Sequence, residues 1–400
     1  MTQAVATLAV AMIVAIAARR VKLPYTVGLV IVGAVLTLSR PDFGPHLTHE
    51  VIFDLILPPL LFEAALSLSW RELLRDSLPL LTLAGLGTVI SAAFVAWASV
   101  ALLHWPLPSA LVFGALIAAT DPVAIIAMFK DNGVKGRLRL LVESESLLND
   151  GAAAVLFVMA LAWAEGHGAG EGAGDIALTL GRIVLGGVAV GALTGGAAIL
   201  IAMGTAEHMI EAALTTIAAF GSFLIAERLH VSGVLATVTA GLIMGNLGLL
   251  REDNRSYLSY KGREFVHGFW EFAAFLANSM VFLMIGVDVA STPFLNYGAP
   301  LIFSVIAIVL AARALTVYPL SALFLFSRWR ISFPEQHVLW WGGLRGALGL
   351  ALALSLPDTL PLRDMIVVST FAVVAFSIVV QGLTMPLLLR ALGFMPGPVQ

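Results

Sequence analysis

Leu116-Ile117-Ala118-Ala119-Thr120-Asp121-Pro122-Val123-Ala124-Ile125-Ile126 sets an acid and a proline at the centre of an apolar run covering 109-129. A run of that length crosses about 30 Å of hydrocarbon as a helix. Pro122 cannot donate a backbone amide and disfavours helical geometry at the residue before it, so the helix is expected to break at Asp121. Asp121 then caps the half-helix that Pro122 opens. A second acid lies in the next apolar run, in Glu145-Ser146-Leu147-Leu148-Asn149-Asp150. An ionisable group at membrane depth is costly to keep, so the two aspartates point to an ion or proton pathway.

The rest of the chain has the same character. Of 400 residues, 60% are hydrophobic and 12% charged, with a mean hydropathy of +0.97; soluble domains carry roughly 25% charge. This composition specifies a polytopic, all-α membrane protein whose partner is the lipid bilayer and not nucleic acid. The net charge of -3 says little, because in such a chain placement matters more than the sum. The absence of cysteine excludes disulfides, thiolate metal sites and cysteine nucleophiles. No GxxxxGK[ST] motif appears, which argues against ATP-driven pumping, and neither an enzyme activity nor a cofactor is expected.

Thirteen apolar stretches are long enough to span a bilayer: 2-18, 23-38, 51-68, 78-103, 109-129, 140-164, 176-203, 209-226, 231-247, 265-289, 298-326, 335-356 and 364-389. The first lacks a basic segment before it and is followed by Arg19-Arg20, so it reads as a spanning helix and not a signal peptide. With the amino terminus outside, sixteen Lys and Arg fall in inner loops: Arg19, Arg20, Lys22, Arg71, Arg75, Lys130, Lys135, Arg137, Arg139, Arg251, Arg255, Lys261, Arg263, Arg328, Arg330 and Arg390. Only Arg40, Arg228 and Arg363 fall outside. That asymmetry predicts a multi-pass protein of the cell membrane with a cytoplasmic carboxyl terminus.

Depth follows from a helical rise of about 1.5 Å per residue. Asp121 lies roughly 18 Å into span five and Asp150 roughly 15 Å into span six. Arg345 and Glu63 reach the same layer in spans twelve and three. Span twelve carries Gly342-Gly343-Leu344-Arg345-Gly346, a second place for a helix to unwind. With span seven set aside as a connector, spans five and twelve occupy matching positions in two inverted six-helix halves. Interrupted helices at such positions are the sequence pointer to a transporter site.

Helical spacing sorts the polar groups. Glu145 and Asn149 share one face of span six, and Ser146 and Asp150 share the adjacent one. Arg345 is permanently charged and requires a counter-ion, for which Glu145 with Asn149 is the candidate. Asp150 is then left to titrate. Two carboxylates in low dielectric cannot both stay ionised without a cation, so Asp121 and Asp150 are expected to hold a proton or a metal cation between them. Competition of the two for one site is antiport. Oxygen ligands from Asp, Ser, Thr and carbonyls suit a hard alkali cation.

The segments Thr120-Asp121-Pro122, Glu145 to Asp150, Leu57-Pro58-Pro59-Leu60-Leu61-Phe62-Glu63-Ala64, Ala312-Arg313-Ala314-Leu315 and Gly342 to Ala347 together resemble the NhaP and NHE branch of the cation-proton antiporters. The resemblance implies thirteen helices with crossed discontinuous helices five and twelve, and exchange of Na+ or Li+ for H+. It implies a transport domain at about 78-165 and 298-394, and a dimerisation domain at about 1-70 and 175-290 of a homodimer. For the site it implies Asp150 as the main cation and proton carboxylate. Asp121, the Thr120 carbonyl, the Ser146 hydroxyl and Glu63, through water, complete the shell, with Glu145, Arg345, Asn149 and Pro122 in support. In the related electrogenic branch the pair before the site reads Asp-Asp. Asn149 cannot titrate, so one proton per cation is expected.

Plainer readings compete at several residues. Asp121 alone reads as the cap of a kinked helix. Glu145 and Arg345 read as structural, since a permanent pair cannot report protonation. Arg313 reads as a partner for carbonyls freed by the breaks. Glu227-Arg228-Leu229-His230 is a solvated corner, His208 and His267 sit at helix ends, Asp288 is a cap, and Gly186, Gly187, Gly191, Gly195 and Gly196 permit close packing. K+/H+ exchange uses the same ligand chemistry and stays open. A passive channel is disfavoured by the absence of a continuous polar pore, and a non-transporting sensor by the intact acidic cluster.

Overall fold

The computed structural model describes residues 9–14, 16–17, 24–39, 47–131, 133–166, 173–250 and 256–395. Most of the first predicted span lies outside these residues, as do Arg19, Arg20, Lys22, Arg40, Arg251 and Arg255. The described residues are helical with short connections. Eight of these helices are long and apolar enough to cross a membrane: Ser77–Leu103, Leu107–Lys130, Arg137–Ala164, Gly174–Ala202, His208–Arg228, Tyr260–Ser291, Ala299–Ala322 and Arg363–Ala391. Tyr25–Ser39 and Gly233–Leu249 are shorter apolar helices. A helix is the fold that apolar surroundings allow, because it satisfies its backbone groups internally.

The chain divides into two compact units, the first made of Met1–His49, Asp76–His167 and Ser279–Gln400, the second of Glu50–Arg75 and Gly168–Asn278. Helix Tyr25–Ser39 falls in the first unit, against the end of helix Tyr260–Ser291. A Cβ on Gly33 would strike the Leu283 carbonyl, and one on Gly286 the Val30 carbonyl, so the two helices touch backbone to backbone. Asp288, near the end of the same helix, accepts the Leu47 backbone N–H at 2.8 Å.

Within the first unit the interrupted helices occur where the sequence puts its proline and glycines. Leu107–Ala118 stops, residues 119–122 run non-helically, and Val123–Asp131 resumes. Phe333–Trp341 starts from a capping box in which Ser332 and Glu335 exchange hydrogen bonds. It ends at Gly342, residues 343–346 are non-helical, and Ala347–Leu354 follows. Gly114 lets Leu107–Ala118 lie directly on the Ala92 carbonyl of the preceding helix.

The second unit packs by small residues. Cβ atoms on Gly186, Gly187, Gly191 and Gly195 would meet Val231, Ser232, Ala236 and Ala240, whereas Gly196 faces open space. Four of the five glycines therefore form the seam between Ala173–Ala202 and Gly233–Met244. Phe62 and Trp270 pack with tilted rings, centroids 4.6 Å apart, and Trp270 Nε1 donates to Thr215 Oγ1 at 2.8 Å. Glu211 is fully buried and accepts the Ser259 backbone N–H and hydroxyl, both at 3.0 Å, ahead of helix Tyr260–Ser291. His230 is exposed with φ +55°, the left-handed turn that ends His208–Arg228.

Candidate ion-binding site

Pro122 breaks its helix one residue after Asp121, and the aspartate turns back to accept the Val123 backbone N–H on Oδ1 at 2.9 Å. This satisfies an amide at the start of the resumed half-helix, the capping role written into the sequence. The two interruptions meet here. The Asp121 backbone N–H donates to the Leu344 carbonyl at 2.7 Å. A Cβ on Gly346 would overlap the Asp121 carboxyl, so the last glycine of Gly-Gly-Leu-Arg-Gly is what admits that carboxyl.

Helix Arg137–Ala164 presents its polar rows to the same crossing. Thr120 and Ser146 share a hydrogen bond, Oγ1 to Oγ, at 2.9 Å. Asn149 Nδ2 donates to Thr120 Oγ1 at 3.0 Å, and its Oδ1 is buried without a partner among the described residues. The Thr120 carbonyl accepts no hydrogen bond among the described residues. Asp150 faces the Thr120 backbone N–H and lies within electrostatic reach of Asp121, Glu145 and Arg345. Thr120, Glu145, Ser146, Asn149 and Arg345 are buried, while Asp121 and Asp150 keep part of their surface open. The two carboxylates are thus set among neutral oxygens.

Glu145 requires a correction. The sequence pairs it with Arg345; its partner is Arg313, which donates through both terminal nitrogens to the two carboxylate oxygens at 2.7 and 2.8 Å. Arg313 also donates to the Leu339 carbonyl, at 3.3 Å from Nε and 3.1 Å from Nη2, a carbonyl freed by the break at Gly342. A Cβ on Gly343 would lie 2.7 Å from Arg313 Nε, so that glycine leaves the guanidinium its room. Arg345 leaves an unwound stretch instead. Its Nη1 reaches the Ala119 carbonyl at 2.9 Å, at the carbonyl end of the other interrupted helix, where a cation offsets the partial negative charge.

Depth alone could not separate these two arginines, because both sit inside spans and both are always charged. The Ser377 and Gln381 contacts to the second break were also missed, having no motif to mark them. Glu63 belongs to the second unit, half-buried on helix Leu57–Ser67 behind Pro58 and Pro59.

A family model described as the transmembrane region of sodium/hydrogen exchangers matches residues 5–391. The chain belongs to the sodium/hydrogen exchanger family. This is a family of membrane transporters, not enzymes. Among relatives of this family, the chain is 40% identical over 382 residues to the Na+/H+ antiporter ApNhaP of Aphanothece halophytica, covering 93% of this chain and 70% of that one. It is 36% identical to the Na+/H+ antiporter NhaH of Halobacillus aidingensis, with 96% of each chain covered. The fold is that of the sodium proton antiporter MjNhaP1 from Methanocaldococcus jannaschii at a TM-score of 0.77, with 21% identity and 98% of both chains covered.

Proposed function

We propose that this exchanger carries Na+ or Li+ against H+, the two competing for Asp150 and Asp121. The observation that carries the reading is the contrast in satisfaction among the buried acids. Glu145 is closed off by a bidentate arginine, whereas Asp121 and Asp150 lie at the crossing among neutral oxygens and, among the described residues, neither is bonded to a guanidinium. Two carboxylates so placed repel one another until a proton or a cation joins them. Asp150 is the main exchange carboxylate. Asp121 is a co-ligand that also caps its half-helix, and the Thr120 carbonyl and Ser146 hydroxyl add oxygens. These are ligands for a hard alkali cation, which is cargo and not a resident cofactor.

Stoichiometry follows from what cannot titrate. Arg313 and Arg345 keep their charge, Glu145 is held by Arg313, and Asn149 has no proton to exchange. One exchangeable proton per cation then makes the cycle electroneutral. The site opens to either side by alternating access in a chain of thirteen crossings, amino terminus outside and carboxyl terminus cytoplasmic, built from two inverted repeats whose fifth and twelfth helices cross. The unit holding the interrupted helices is the transport domain, and the other unit carries the dimer contact of a homodimer.

The test is collapse of a preset ΔpH in proteoliposomes on addition of Na+, Li+ or K+. Na+ and Li+ are expected to collapse it at millimolar concentration and K+ to leave it nearly unchanged. A response to K+ equal to that to Na+ would overturn the selectivity, and no response to any of the three would overturn exchange.

A further inference from the structure

The last long helix, Arg363–Ala391, contains a segment of wider turns at Ser377–Gln381, and that segment grips the break in span twelve. Residues at an interruption have backbone groups with no helical partner, and a buried group left unpaired is costly. Ser377 answers two of them. Its Oγ accepts the Arg345 backbone N–H at 3.0 Å and lies 3.2 Å from the Arg345 carbonyl, to which its proton can turn from the Val374 carbonyl at 3.0 Å. Gln381 Nε2 donates to the Trp341 carbonyl at 2.9 Å, the last residue of the half-helix before the break. One turn further on, Thr384 Oγ1 accepts from Trp341 Nε1 at 2.8 Å. Ser377 and Gln381 are buried, and the three side chains recur at helical spacing on one face.

These contacts lead directly to the cation carboxylates. The backbone that Ser377 holds belongs to Arg345, whose guanidinium holds the Ala119 carbonyl, and the preceding Leu344 carbonyl holds the Asp121 amide. A wider-turned segment inside a helix displaces its side chains from the regular rows, and such segments recur at functional sites. Here a hydroxyl and an amide meet the two ends of a five-residue gap.

Resting on the exchange reaction proposed above, we infer that Ser377 and Gln381 are positioning residues: through the backbone of Trp341 and Arg345 they set where Asp121 sits, and so set cation affinity. Neither touches the cation. The reading differs from plain support of the fold in what it does to the kinetics. Loss of one buried hydrogen bond corresponds to roughly a fivefold to tenfold effect on an equilibrium, and here it falls on the apparent KM for Na+ while the maximal rate stays within about twofold.

Na+ titrations of ΔpH collapse in proteoliposomes test this with Ser377→Ala, Ser377→Thr and Gln381→Met beside the wild type, each also followed for melting temperature in detergent. Ser377→Ala and Gln381→Met are expected to raise KM for Na+ about fivefold or more, and Ser377→Thr, which keeps the hydroxyl, to restore it most of the way. An unchanged KM in both Ser377→Ala and Gln381→Met overturns the inference. So does a raised KM that Ser377→Thr does not restore and that follows a fall in melting temperature. If Ser377→Ala does not fold, Gln381→Met decides alone by the same criterion. A wild type that exchanges nothing fails the proposed function instead, so the two failures are distinguishable.

Discussion

Glu145 and Arg313 are both buried and use their full bidentate geometry on one another, with the remaining guanidinium contacts spent on the Leu339 carbonyl. A closed pair of this kind is costly to break from one side, because the survivor is left as an uncompensated buried charge. Arg313→Met is therefore expected to lower stability by about 3–5 kcal/mol, read as a large drop in detergent melting temperature. Adding Glu145→Leu is expected to recover much of it; a double variant no more stable than the single would contradict the pairing. Arg345 differs, since among the described residues its guanidinium bonds the Ala119 carbonyl and not Glu145. The acids and both arginines were legible in the sequence as charges inside apolar spans, and Asn149 as a neutral polar group on the helix face of Glu145. Which arginine faces Glu145 was not, because that depends on how far one helix face turns toward another, and spacing along a single helix carries no such information.

The interrupted helices are the elements on which the site depends, and their breaks were legible because proline and clustered glycine act locally. Pro122 removes an amide, while Gly343 and Gly346 leave room for Arg313 and the Asp121 carboxyl respectively. Gly346→Ala places a methyl group where the Asp121 carboxyl lies and should reduce Na+ exchange by at least tenfold while the protein still inserts and purifies, a near miss in positioning being enough for losses of that order. Exchange at the wild-type rate would show that Asp121 does not need its present place. The wider-turned segments at Val51–Ile56, Thr82–Leu86, Gly245–Leu249 and Ser377–Gln381 left no trace in composition. Each is a single register shift inside an otherwise regular apolar helix, made in backbone hydrogen bonds that residue type does not mark.

For the whole molecule, the sequence reports membrane class and transport chemistry more directly than the grouping of helices. Apolar length and loop charge are properties of segments, whereas the backbone contact of helix Tyr25–Ser39 with helix Tyr260–Ser291 at Gly33 and Gly286 is tertiary. The proposed 1:1 exchange moves no net charge, so an imposed potential does no work on the cycle; against a carried charge it would supply about 2.3 kcal/mol per 100 mV. Na+ exchange in proteoliposomes clamped with K+ and valinomycin is expected to run at the same rate at zero and at -100 mV. A several-fold change in rate with potential would defeat electroneutrality.

The most direct test of the account is ΔpH collapse on adding Na+ to proteoliposomes holding Asp150→Asn beside the wild type. Asparagine keeps the shape of the side chain and removes its charge and its exchangeable proton, so the variant is expected to insert normally and to show no Na+-driven proton flux above empty liposomes. Flux in Asp150→Asn at the wild-type rate would contradict the assignment of cation and proton to that carboxylate.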